Sequence, residues 1–101
     1  MAIYWLSFTI SDRNAKNKSY DERYNDFIDR IFKVSLEHWS ETTSFIIFKS
    51  NENIDVLFNF FGIALSEIYD LFIIRELDAK SARIFGKNEN TKIKNLMPYI
   101  K

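Results

Sequence analysis

Thr43-Ser44-Phe45-Ile46-Ile47-Phe48-Lys49-Ser50 has polar residues at its ends and four large apolar residues at its centre, the pattern of a strand with both faces buried. A strand of this kind lies inside a sheet. Two further segments share the pattern, Ile3 to Ile10 and Tyr69 to Leu77, and a helix-like segment separates each of them from this one. In the first, Tyr4, Leu6, Phe8 and Ile10 fall on one side and Ile3, Trp5, Ser7 and Thr9 on the other, so one face is core and the other is half apolar. In the last, Phe72 and Ile74 oppose Tyr69, Leu71, Ile73 and Leu77, and both faces are expected to be buried.

The intervening segments read as helices and one short strand. Ser11 to Lys18 is a polar loop, after which Ser19-Tyr20-Asp21-Glu22 forms a capping box. Tyr20, Tyr24, Phe27, Ile28, Ile31 and Val34 then recur at spacings of three and four, while Asp21, Arg23, Asp26, Asp29, Arg30 and Lys33 are assigned to the solvent side. Asp26 with Arg30 and Asp29 with Lys33 make i,i+4 pairs. Leu36 to Ser40 alternates as an edge strand and turns near Glu41-Thr42 into the central strand. A second helix starts at Ser50 or Asn51 and carries Ile54, Leu57, Phe58, Phe61, Ala64 and Leu65 on its stripe. Gly62 within it signals close packing or an early end. Beyond Leu77, Ala82, Ile84 and Phe85 mark a small amphipathic piece. Ile93, Leu96, Met97 and Ile100 are placed to dock back, and Pro98 limits any helix there.

Strand, helix, strand, strand, helix, strand is the order of the ferredoxin-like βαββαβ motif. The expectation is therefore an α+β domain over residues 1–86, an antiparallel sheet with both helices on one face, and a basic C-terminal extension over 87–101. The first and third strands are expected side by side and parallel in the centre. That arrangement leaves the other face of the sheet apolar and uncovered, at a size that single chains rarely tolerate. The candidate interface is Ile3, Trp5, Phe45, Ile47, Leu71 and Ile73, the alternation leaving open which row of 45–48 takes part. A second copy packing sheet against sheet with two-fold symmetry is the economical cover. A partner protein or the C-terminal tail folding back would serve the same purpose.

Composition bounds the chemistry. At 101 residues the chain makes one domain, and with 47% apolar residues and only two Gly and one Pro it is not loop-dominated. The lack of cysteine excludes disulfides, thiolate metal sites and cysteine nucleophiles, and two glycines exclude a glycine-rich phosphate loop. No basic segment precedes an apolar run at the start, and no run approaches the ~18–20 residues of a membrane span, so a cytoplasmic protein without membrane contact is expected. Charge is neutral overall but uneven: residues 79–101 hold six basic groups and one acidic, and 36–78 hold two and eight. Lys80, Arg83, Lys87, Lys92 and Lys94 are the candidate nucleic-acid contacts, weighed against an ordinary solvated tail. His38 is the single histidine and forms no motif with Glu37 or Glu41. Trp39 is assigned to core or interface.

The opening Ile3-Tyr4-Trp5-Leu6-Ser7-Phe8, the Tyr20 to Phe32 helix, the run His38 to Ile47, and Phe72-Ile73-Ile74-Arg75-Glu76-Leu77 before a small-residue segment ending at Gly86 carry a resemblance. Residues 3–86 resemble small bacterial ferredoxin-like proteins related to the CRISPR-associated spacer-acquisition subunit and to the virulence-associated toxin VapD. The resemblance implies a dimer. It also implies that active members carry an aspartate at the end of the first strand, where Mg²⁺ or Mn²⁺ activates water against a phosphodiester. Thr9 stands at the matching place here, and threonine is a poor ligand for hard cations. Asp12 is the nearest carboxylate in sequence and the one candidate for a catalytic or metal role. Two readings follow: a non-catalytic homodimeric scaffold without cofactor, set in a phage-defence, toxin–antitoxin or mobile-element system, and a metal-dependent RNA or DNA endonuclease.

Overall fold

The computed structural model describes residues 1–77 and 82–100. Its elements are β1 (Ala2–Thr9), α1 (Tyr20–Val34), β2 (Glu37–Trp39), β3 (Phe45–Ser50), α2 (Ile54–Gly62), β4 (Leu71–Glu76) and α3 (Lys92–Leu96). The four strands form one antiparallel sheet in the order β2-β3-β1-β4. This is an α+β fold in which each long crossover skips one strand position: α1 joins β1 to β2 across β3, and α2 joins β3 to β4 across β1.

β1 and β3 run antiparallel, correcting the expectation that they are parallel. The crossover through α1 returns β2 in the direction of β1, and the hairpin then reverses the chain, so β3 enters the gap opposed to both neighbours. Both faces of β3 are covered, as its sequence implies: Ile46, Ile47, Phe48 and Ser50 are buried.

The first face of the sheet holds the main core. Tyr4, Leu6 and Phe8 from β1 and Ile46 and Phe48 from β3 pack under Phe27 and Ile31 of α1 and Leu57 and Phe61 of α2. Phe27 is the hub, with ring centroids 5.1 Å from Phe8, 6.0 Å from Phe61 and 5.6 Å from Phe72. The α1 capping box forms as expected: Ser19 Oγ accepts from Glu22 N–H and Glu22 Oε1 accepts from Ser19 N–H, both at 3.2 Å. The Asp26–Arg30 pair also forms, at 3.0 Å.

Three local expectations are corrected, and of the two readings of Gly62 the early helix end is the one that holds. Arg23 does not face water; it is completely buried. α2 starts at Ile54 behind an Asn53 cap, whose Oδ1 accepts from Val56 N–H at 3.0 Å, rather than at Ser50 or Asn51. Gly62 closes α2, and nothing lies within 4 Å of where its Cβ would stand, so it marks a helix end and not a close approach. β4 begins at Leu71, because Tyr69-Asp70 is held in a turn by the Asp70 N–H bond to Ser66 O at 2.8 Å. Its outer row is not buried, and that departure defines the site below.

Candidate interaction surface

The second face of the sheet carries Trp39 from β2, Phe45 and Ile47 from β3, Ile3 and Trp5 from β1, and Leu71 and Ile73 from β4. Trp39 stands opposite Ile47, Ile47 opposite Trp5, and Ser7 opposite Ile73. The C-terminal segment folds back over one half of this face. Ile93, Leu96 and Met97 are buried against Trp39 and Ile47, with Ile3, Trp5, Phe45, Ile84 and Ile100 half-buried around them. Trp5 and Phe45 stack at 6.1 Å beneath. Polar ties hold the segment to the β2 side: Trp39 Nε1 donates to Asn88 Oδ1 at 3.2 Å, Asn95 Nδ2 to Glu37 Oε1 at 3.0 Å, and Asn90 Nδ2 to Glu41 Oε2 at 3.2 Å. An open groove of about 320 Å³ lies between the sheet and the tail, lined by Trp39, Phe45, Ile47, Met97, Ile100 and Arg83 among others.

The other half of the face stays open. Leu71 is 71% exposed and Ile73 57%. On the helix side of the same strand, Phe58 of α2 is 55% exposed and its ring lies 5.5 Å from Phe72. β4 is an edge strand: Leu71 and Ile73 lie bare on one of its faces, Phe72 and Ile74 are half-buried on the other, and its outer backbone groups have no neighbouring strand among the described residues. The six residues of the candidate interface therefore divide: Ile47 is buried under the tail, Ile3, Trp5 and Phe45 are half-buried beside it, and Leu71 and Ile73 face solvent.

The remaining candidates lie apart from this surface or are dispersed. Arg83, Lys87, Lys92 and Lys94 are all exposed along the tail, with Lys87 3.6 Å from Glu89, and Lys80 lies outside the described residues. Asp12 is exposed in the loop after β1, and Thr9 is exposed at the strand end opposite Leu71. Among the described residues, no three His, Asp or Glu side chains gather as a metal site. His38 is half-buried, its ring stacked 4.4 Å from Phe32, and burial together with the Lys92 charge holds its imidazole below the ordinary value.

One polar centre went unread in the sequence. Arg23 on α1 and Asp70 before β4 form a bidentate pair with Nε–Oδ2 at 2.9 Å and Nη2–Oδ1 at 3.2 Å, both side chains fully buried. Arg23 also donates to the carbonyls of Ser11, Arg13 and Lys18 at 2.8–3.0 Å. Asp70 accepts from the amides of Ser11 at 2.9 Å and Ser66 at 2.8 Å. Arg23's guanidinium carries five donors and a carboxylate about four acceptor sites, so both groups are saturated. Burial pushes the Asp70 carboxyl up, but the Arg23, Ser66 and Ser11 hydrogen bonds and the Arg23 charge outweigh it and hold the carboxyl below its ordinary value. The Asp70 carboxylate is thus committed to locking the 11–18 loop onto the α2–β4 turn, with no lone pair left for a cation. Two signals point to it in the sequence. Arg23 sits three residues after Tyr20 and four before Phe27, on the buried stripe itself, and Asp70 is a lone acid at the head of an apolar strand.

No helix among the described residues is long and apolar enough to cross a membrane. Compared with protein-family models, curated proteins and solved structures, the chain matches none.

Proposed function

We propose that this chain is a ferredoxin-like, non-catalytic interaction module that acts as a homodimer, with β4 and the uncovered half of the second face as its contact. The strand order with two position-skipping crossovers supports the ferredoxin-like assignment. The observation that carries the dimer is the exposure of Leu71 and Ile73 on an edge strand that no other described segment covers, where a lone chain would leave apolar surface in water. The tail fills the half of the face that a sheet-to-sheet partner would otherwise take, which moves the expected contact from the sheet centre to its β4 side. The resemblance of residues 3–86 to the CRISPR-associated and VapD group would set such a dimer in a phage-defence, toxin–antitoxin or mobile-element system.

Light scattering at micromolar concentration tests this reading. Twice the chain mass of 12.1 kDa is expected, and the Leu71→Glu/Ile73→Lys variant should return the single mass while keeping the far-UV circular dichroism of the parent. A single-chain mass for the parent overturns the dimer, and Mg²⁺- or Mn²⁺-dependent cleavage of RNA or DNA by the purified protein overturns the non-catalytic part.

A further inference from the structure

The two edges of the sheet are treated differently. β2, at one edge, is three residues long and is tied to the tail through Glu37, Trp39 and, just beyond it, Glu41. β4, at the other, is six residues long, carries no proline or lysine, and confines its charges to its last two residues, Arg75 and Glu76. Natural sheets blunt an edge with a short strand, a charge, a bulge or a cover. The β2 edge has a short strand and a cover, and among the described residues the centre of β4 has none of these devices.

Building on the dimer reading, we propose that two copies join β4 to β4 in antiparallel fashion about a two-fold axis through Ile73, making one continuous eight-stranded sheet. The backbone phase permits it. Leu77 N–H donates to Ile3 O at 2.7 Å, and bonded pairs alternate along an antiparallel ladder, so the odd-numbered residues of β4 bond to β1 and Phe72, Ile74 and Glu76 turn their N–H and C=O groups outward. A two-fold axis normal to the sheet keeps the helices of both copies on one side and requires opposed residues to share a face. Centred on Ile73, the register sets Phe72 against the other copy's Ile74 as bonded pairs, Ile73 against Ile73, and Leu71 against the stem of Arg75. Centred on Ile74, it would set Phe72 against Glu76 and Ile73 against Arg75, two apolar–charged pairs on each side of the axis where the Ile73 register has one. The chain's zero net charge adds no long-range repulsion between copies. The occupant of this edge is accordingly a second copy of the same strand.

The absence of cysteine from the chain makes the test clean. Opposed residues of a non-bonded antiparallel pair have Cα atoms ~4.5 Å apart, within disulfide reach. Ile73→Cys should therefore oxidise to a covalent dimer almost completely, whereas Leu71→Cys, which faces Arg75, should remain largely uncross-linked. In the unmodified protein, amide exchange at Phe72 and Ile74 should slow by about tenfold or more between dilute and concentrated samples. A dimer mass without Ile73→Cys cross-linking or protection at 72 and 74 overturns the edge pairing and leaves the dimer reading standing. Equal cross-linking of both cysteine variants also overturns the pairing, because it marks random collision. A monomer mass with unprotected amides overturns both.

Discussion

Arg23 and Asp70 show how much one buried pair can organise. The guanidinium gathers three loop carbonyls while the carboxylate gathers two loop amides, so a single ion pair ties the β1–α1 loop to the entry of β4. Removing one partner of a buried pair leaves the other charge uncompensated, at about 3–5 kcal/mol, so Asp70→Asn should lower the urea-unfolding free energy by an amount of that order. The pH dependence has a definite sign. The Asp70 pKa is lowered in the folded state, so its stabilisation is present above the unfolded-chain value of 3.8 and is lost as pH falls below that value through the folded-state pKa. Acid titration of stability should show a decline in that window that Asp70→Asn flattens; the same slope in both proteins would assign the acid sensitivity to other carboxylates. By charge alone Arg23 belongs in water, whereas its spacing from Phe27 and Ile31 puts it on the buried face of α1. A buried charge is legible only with its partner, and the partner here is 47 residues away.

Among the elements, those with local causes were legible. The α1 capping box and the doubly buried β3 follow from spacing alone and stand where expected, while the apolar stripe of α1 holds only from Phe27 onward, since Tyr20 and Tyr24 are exposed. β4 is three residues shorter than the Tyr69 to Leu77 pattern implies and is not buried on both faces, since apolar alternation does not distinguish a central strand from an edge. The direction of β3 relative to β1 follows from topology, which pattern does not encode. The loop after β1 shows a further feature hidden at that level: Lys16 and Asn17 have φ of 53° and 60°, and Ala15 and Lys18 exchange backbone hydrogen bonds of 2.9 Å. This is the geometry of a type I′ turn, which favours Asn-Gly. A lysine in the left-handed region is strained by about 1–2 kcal/mol. The Lys16→Asn/Asn17→Gly variant should therefore gain about 1 kcal/mol in stability, seen as a thermal midpoint some 4–8 °C higher by calorimetry. An unchanged midpoint would mean that the Arg23 contact to Lys18 O already holds the turn.

In the whole molecule, the sheet separates two apolar layers of unequal build. One is enclosed by α1 and α2, and the other is roofed by a tail whose only described helix is five residues long. The candidate interface was legible as an apolar face, but its division was not, since nothing in the strands reports that Ile93, Leu96 and Met97 will cover the β2–β3 half and stop short of β4. The tail is a separable unit on this view: Leu96→Asp should release it while the helix-covered layer keeps its far-UV circular dichroism. Both tryptophans of the chain, Trp5 and Trp39, belong to the tail-covered layer and neither to the other. The protein thereby carries its own optical reporter: a red shift of tryptophan emission in Leu96→Asp would register the opening of one layer alone, and a lifting roof and a melting core would give separate signals in one unlabelled sample.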